Sequence, residues 1–345
     1  MSEPGRAIDR EGSGNSNQPL AERLAQGFAT HTRTTVCIEN LQPLSGGASA
    51  ETWRFEYRND QETDSAHRAI FRCSSVQQTA QFSTSIAKST EAAVQHCAYQ
   101  TGIPVAEILF CATPEDNLGD GYVMRCVAGE TIPRRILRDP NLSAARETLT
   151  QQCARILGQI HQLDITPIQD QLKGLSPRKH LDTLESLYRS YQQPSPVFEV
   201  ALRWLRHHAP ADEPFALVHG DFRNGNLVID QHGIAAVLDW ELCHLGHPLE
   251  DLGWLCVNAW CFGSDLPVGG FGDIPTLLAS YQEQTGRHVH QDELRYWQVF
   301  GTLRWGIICL FQAHCYLSGL NRSLELAAIG RRVSETEIDL LNLLG

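Results

Sequence analysis

Between residues 219 and 239 the chain runs His219-Gly220-Asp221-Phe222-Arg223-Asn224-Gly225-Asn226, then Leu227-Val228-Ile229-Asp230, Gln231-His232-Gly233 and Ile234-Ala235-Ala236-Val237-Leu238-Asp239. Two short apolar runs flank a polar turn containing glycine, which is the pattern of a β-hairpin. A turn centred on His232-Gly233 sets Asn226 opposite Asp239, Val228 opposite Val237 and Asp230 opposite Ala235. Directly opposed side chains have Cβ atoms about 4.5–5.5 Å apart, close enough for an amide and a carboxylate oxygen to share a hard cation at roughly 2.1 Å from each. The spacing therefore predicts a Mg²⁺ site built from Asn226 and Asp239. Asp221 lies five residues before Asn226, on the loop entering the hairpin, where a carboxylate can accept the proton of an attacking hydroxyl. One Asp in such a turn is ordinarily a solvated turn residue; three polar groups at these offsets demand more.

The layout Asp-x4-Asn, followed after a hairpin by another Asp, resembles the catalytic-loop plan of protein kinases. Three further stretches extend the likeness: Leu238-Asp239-Trp240-Glu241, Gly246-His247-Pro248-Leu249-Glu250-Asp251-Leu252 and Leu324-Glu325-Leu326-Ala327-Ala328-Ile329-Gly330-Arg331-Arg332-Val333. With them the chain is similar to the aminoglycoside phosphotransferase and choline kinase superfamily, in particular to the branch related to the kinase-like domain joined to acyl-CoA dehydrogenases in some larger proteins. The resemblance covers roughly residues 20 to 345. It implies an α+β, bilobal, protein-kinase-like fold: an N-terminal antiparallel sheet with one helix, and a mainly helical C-terminal lobe. It also implies ATP and Mg²⁺ as cofactors. Asp251 would brace the catalytic loop, although His247 stands where relatives usually carry a first Asp.

Composition narrows the alternatives. A chain of 345 residues with 42% hydrophobic content can bury a sizeable core and suits two lobes. Its formal charge, 28 − 40 = −12, argues against a nucleic-acid binder, which needs basic patches. The eleven cysteines contain no Cys-x-x-Cys pair, as expected of reduced thiols in a cytoplasmic protein. Residues 1–18 hold little to bury and no apolar core of signal-peptide length, so disorder and no membrane targeting are expected there.

Along the chain, residues 41–44 and 51–57 read as strands around Ser45-Gly46-Gly47-Ala48-Ser49, and Gly46 and Gly47 are expected to let backbone N–H groups approach nucleotide phosphates. The next strand ends in Arg72, where the kinase resemblance implies the cation that touches the α- and β-phosphates; the usual residue there is Lys. A helix over about 85–101 carries Glu91, the implied partner of Arg72. Strands follow at 105–111 and 121–126, and the backbone at Met124 and Cys126 is expected to receive an adenine ring. From Val127 the periodicity turns helical, with stripes such as Leu149, Cys153, Ile156, Ile160 and Leu163. Cys243, His244 and His247 invite a zinc reading, but a structural site wants four ligands, and loop-side histidines are the expectation.

The sequence thus predicts a nucleotide-binding lobe over 19–125 and a helical lobe with catalytic loop and acceptor site over 126–345. The expected activity is ATP-dependent phosphorylation of a hydroxyl on a small molecule, such as a hydroxyacyl-CoA or an amino alcohol or aminoglycoside-like compound. The rival is a catalytically inactive nucleotide-binding pseudokinase or scaffold. Neither nucleic acid nor membrane is an expected partner, and the sequence leaves the oligomeric state open.

Overall fold

The computed structural model describes residues 19–44, 50–59, 66–74, 85–211 and 215–345. Gly46 and Gly47 lie outside the described residues, as does the stretch before residue 19.

The N-terminal part begins with a helix, α1 (Leu20–Thr32), and continues with strands β1 (Val36–Leu44), β2 (Ala50–Asn59) and β3 (His67–Ser74), helix α2 (Lys88–Gln100), and strands β4 (Ile108–Cys111) and β5 (Gly121–Arg125). These strands form one antiparallel sheet in the order β1-β2-β3-β5-β4. Period-two alternation along β3 and β5 gives the sheet two different faces. Phe71 and Val123 join Leu24, Phe28, Phe55 and Phe110 under α1, while Ile70, Tyr122 and Met124 join Ala92 of α2 on the other face. The sheet therefore carries two helices, with α1 added to the one expected.

The C-terminal part is built from α3 (Pro133–Arg138), α4 (Ser143–His161), α5 (Pro177–Ser190), α6 (Pro196–His207), α7 (Leu249–Leu255), α8 (Ile274–Thr285), α9 (Gln291–Leu317), α10 (Leu324–Gly330) and α11 (Val333–Leu344). The long helix α9 is the axis, touching α5, α6, α7, α10 and α11, and α4 packs on α8. Leu149, Cys153, Ile156 and Ile160, the stripe seen in the sequence, are buried in this core. Two small antiparallel pairs sit against it: β6 (Ala216–Val218) with β9 (His244–Gly246), and the hairpin β7 (Leu227–Asp230) with β8 (Gly233–Val237).

The hairpin exists, but in a different register from the one expected. Leu227 faces Val237 and Val228 faces Ala236; after a shift, Ile229 faces Ile234 and Asp230 faces Gly233. Ala235 is the extra residue of a β-bulge. Asn226 is thereby matched to Leu238, whose N–H donates to its carbonyl at 2.8 Å, and Asp239 falls one residue beyond. The cause is non-local. Ile229 exchanges both backbone hydrogen bonds with Glu130 of the segment joining the lobes, at 2.8 and 2.9 Å, and Gln152 of α4 holds Ile234 N–H and the His232 carbonyl.

Candidate active site

Strand β6 delivers the chain to His219-Gly220-Asp221, and the loop is held from below. Asp251 on α7, fully buried, accepts the N–H groups of His219 at 2.8 Å and Gly220 at 2.9 Å, one on each carboxylate oxygen. His161 Nε2 of α4 lies 3.2 Å from the same carboxylate. Gly220 has φ 79°, and a Cβ there would sit 2.5 Å from the Leu242 carbonyl oxygen, so only glycine fits. His219 is fully buried. Its Nδ1 accepts the Asp221 N–H at 3.2 Å and its Nε2 donates to the Leu238 carbonyl at 3.1 Å, joining the loop to the end of β8. Burial holds the His219 ring below the ordinary histidine pKa despite nearby Asp251 and Asp221.

Asp221 is oriented by three donors. Arg223 Nε at 3.0 Å and Trp254 Nε1 at 2.8 Å converge on Oδ1, and Asn226 Nδ2 reaches Oδ2 at 2.6 Å. Arg223 in turn lies over the Trp260 ring, 4.5 Å from its centroid. Asn226 also donates to the Asp221 carbonyl, so its amide nitrogen is committed and its oxygen is the end left to act as a ligand.

A second cluster joins the two lobes. Arg72 on β3 shares a sheet face with Tyr122, its direct partner on β5. Its Nη2 lies 2.8 Å from Asp239 Oδ1 and 3.4 Å from Glu241 Oε2, and its Nη1 3.6 Å from Glu91 Oε1. The expected Arg72–Glu91 pair is present, but Glu91 has closer partners: Lys88 Nζ at 2.6 Å and Tyr122 Oη at 2.9 Å. Lys88 also reaches Glu241 Oε2 at 3.2 Å. Burial alone would lower the Arg72 guanidinium, yet Glu91 and Asp239 hold it above its ordinary value. Burial likewise works to raise Asp239, and the charge and hydrogen bond of Arg72 hold it below the usual carboxylate range.

Asp239 adopts the left-handed conformation, φ 69° and ψ 60°, and a third of its side chain is exposed. Asn226 and Asp239 offer an amide oxygen and a carboxylate, the hard donors that suit Mg²⁺. As donor types the two suit the ion, although the backbone register differs from the one that suggested the pair. Met124 lies within β5, paired with Ile70 and Ile108, and Cys126 donates its N–H to the Arg68 carbonyl at 3.0 Å.

Sequence reasoning missed Lys88, Trp254, Arg304 and His161. Arg304 of α9 donates to the Gly220 carbonyl at 2.9 Å, lies over the Trp254 ring and comes 3.5 Å from Glu250 Oε1. Cys243, His244 and His247 are all buried; His244 begins β9, and His247 lies in the connection between β9 and α7. His247 accepts the Leu249 N–H at the start of α7 and stacks on Trp297. His244 Nδ1 meets the Leu242 carbonyl, and its Nε2 lies 3.2 Å from Glu250, as does Nδ1 of His180.

A two-faced sheet over a helical body, with a polar loop braced under an interlobe ion-pair cluster, defines a kinase-like phosphotransferase fold. Residues 40–297 match the phosphotransferase enzyme family, and the chain belongs to that family. Among curated proteins it is 32% identical over 192 residues to acyl-CoA dehydrogenase family member 11 of Gallus gallus, a match covering 52% of this chain and 24% of that protein. It is 31% identical over 184 residues to acyl-CoA dehydrogenase family member 10 of Mus musculus, covering 50% and 17%. The chain thus spans about a quarter or less of the length of these relatives. Among solved structures, a putative aminoglycoside phosphotransferase from Ralstonia eutropha superposes with TM-score 0.73 at 21% identity, covering 93% of this chain and 97% of that one. A spectinomycin phosphotransferase in complex with ADP and spectinomycin gives 0.60 at 14% identity, covering 94% and 99%. Among the described residues no helix is long and apolar enough to cross a membrane.

Proposed function

We propose that this chain transfers the terminal phosphoryl group of ATP to a hydroxyl group of a small molecule. The observation that carries the reading is the convergence of Asp221 and Asn226 on one loop, joined by a hydrogen bond at 2.6 Å, with Asp239 paired across the lobes to Arg72 at 2.8 Å. Asn226 and Asp239 would hold Mg²⁺, which when bound offsets charge on the transferring phosphoryl group. Arg72 presents a fork suited to phosphate oxygens, with Glu91 behind it. Gly46 and Gly47, outside the described residues, are assigned to cover the phosphates, and the backbone around Met124 and Cys126 to meet the adenine. Asp221 takes the proton of the acceptor hydroxyl as the oxygen attacks, and its three donors fix which lone pairs face the acceptor.

In this reading residues 19–125 hold the nucleotide, residues 126–345 hold the catalytic loop and acceptor, and the protein works in the cytoplasm. Likeness to the acyl-CoA dehydrogenase family members supports a hydroxylated acyl thioester as acceptor; likeness to the aminoglycoside and spectinomycin phosphotransferases supports an amino alcohol or aminoglycoside-like compound. A second reading, an inactive nucleotide-binding scaffold, is favoured by one contact: Arg72 occupies an oxygen of the carboxylate that a metal would use. Incubation with a metabolite extract, ATP and Mg²⁺, followed by mass spectrometry, separates the two. The phosphotransferase reading requires a phosphorylated product that drops about 10²- to 10⁴-fold with Asp221→Asn. No product from any extract supports the scaffold.

A further inference from the structure

Lys88 breaks two local rules. It is the first residue of α2, where the helix dipole disfavours a cation, and its side chain is only 5% exposed, a placement that lysines rarely tolerate without partners. Its Nζ is held between Glu91 at 2.6 Å and Glu241 at 3.2 Å. The helix start is fixed independently, because the Lys88 N–H donates to Asp120 and the Ile86 N–H to the Glu241 carbonyl. The ammonium group is thus not required to begin the helix. Violations of local preference of this kind gather at functional sites.

The charges around it explain the placement. Glu91, Asp239 and Glu241 are three acids within ion-pair reach of Arg72. With Arg72 as the sole cation the cluster would carry two net negative charges, and it would repel nucleotide phosphates. Lys88 cancels one of them. It takes the closer contact with Glu91 and shares Glu241, so that Arg72 is left with only loose contacts to these two and one close partner, Asp239. Arg72 Nε is buried without a hydrogen-bond partner, so the two Nη groups carry all of its ion pairs.

We infer that Lys88 is a positioning residue for nucleotide binding: by neutralising Glu91 and Glu241 from the helix side, it frees the strand cation Arg72 for the phosphates. The two tasks that the kinase plan gives to one strand lysine, pairing the helix glutamate and touching phosphate, are here divided between Lys88 and Arg72. This rests on the phosphotransferase reading above.

The test is titration of the full chain with the non-hydrolysable ATP analogue AMP-PNP in the presence of Mg²⁺. Lys88→Met is expected to weaken binding roughly tenfold or more, since it leaves Arg72 as the one cation of the pair to balance Glu91, Asp239 and Glu241. Adding Glu241→Gln to that variant removes the uncompensated charge, while Glu91 keeps Arg72 and Tyr122 as partners; binding is expected to return to within a few-fold of wild type. A structural role for Lys88 would not produce that recovery. Wild-type affinity in Lys88→Met, or a folded double variant that still fails to bind, overturns the inference. Should Lys88→Met not fold, the double variant alone decides, by the same criterion. A wild-type chain that does not bind Mg²⁺ and AMP-PNP overturns the phosphotransferase reading itself, which distinguishes the two failures.

Discussion

Trp254 donates its indole N–H to Asp221 Oδ1 at 2.8 Å, so a residue buried in α7 sets the direction of the proposed proton acceptor. The indole packs against the tilted Trp260 ring and under the Arg304 guanidinium. Trp254→Phe keeps most of the packing and deletes the donor. Turnover is expected to fall by about tenfold, equivalent to about 1.4 kcal/mol of lost orientation, with the KM for ATP unchanged. Steady-state kinetics on the acceptor found by mass spectrometry measures this, and an equal rise in KM for ATP would count against an orienting role.

Asp251 accepts the loop N–H groups of both His219 and Gly220. Asp251→Ala strands both beneath a buried loop, at about 1–3 kcal/mol each. Urea denaturation should therefore show a loss of several kcal/mol, large against ordinary domain stability. A variant as stable as the parent would mean that the loop finds other acceptors.

These two contacts also mark how far the sequence can be read. The hairpin was legible because its apolar runs and Gly-containing turn are local, and the α4 stripe because helical period is local. The register was not: the bulge at Ala235 is imposed by Glu130 and Gln152, both distant in sequence. Helix α1 did leave a trace, since Leu20, Leu24 and Phe28 repeat at helical spacing. Lys88 left none, because a lysine at a helix start reads as a solvated residue until β3 and the Trp240–Leu242 turn close around it. For Trp254, its place in an apolar helix says nothing of where the indole N–H points.

The buried Glu250 group gives a pH prediction with a definite sign. Burial opposes charge on His244, but Glu250 raises its pKa above the ordinary value. That contribution is full below about 6.5 and is lost as pH rises through the folded value. Burial lowers His180 and His219, so their contributions are full above about 6.5 and are lost as pH falls from there. Stability should peak near about pH 6.5 and decline on both sides. In His244→Gln the alkaline decline should vanish while the acid decline remains, as read from urea midpoints between about pH 5 and 8, below the range where buried thiols titrate on unfolding. A variant that loses the acid arm instead would reverse the assignment.

Asp239 allows the metal and ion-pair roles to be separated. Its carboxylate is a third exposed and paired with Arg72 at 2.8 Å, and an amide in its place keeps an oxygen acceptor for Arg72 while removing one of three acids that face two cations. Asp239→Asn should therefore leave the melting temperature of the ligand-free chain nearly unchanged. Ligand stabilisation is a different quantity: at a hundredfold excess over Kd it amounts to about 2.7 kcal/mol. In the wild type that gain with ATP should depend on Mg²⁺, because in the proposed reading Asn226 and Asp239 would hold the ion. In Asp239→Asn the Mg²⁺-dependent part should disappear, and any shift that persists with ATP alone reports Arg72, released from its carboxylate, on the phosphates. Retention of a full Mg²⁺-dependent shift would remove Asp239 from the metal site.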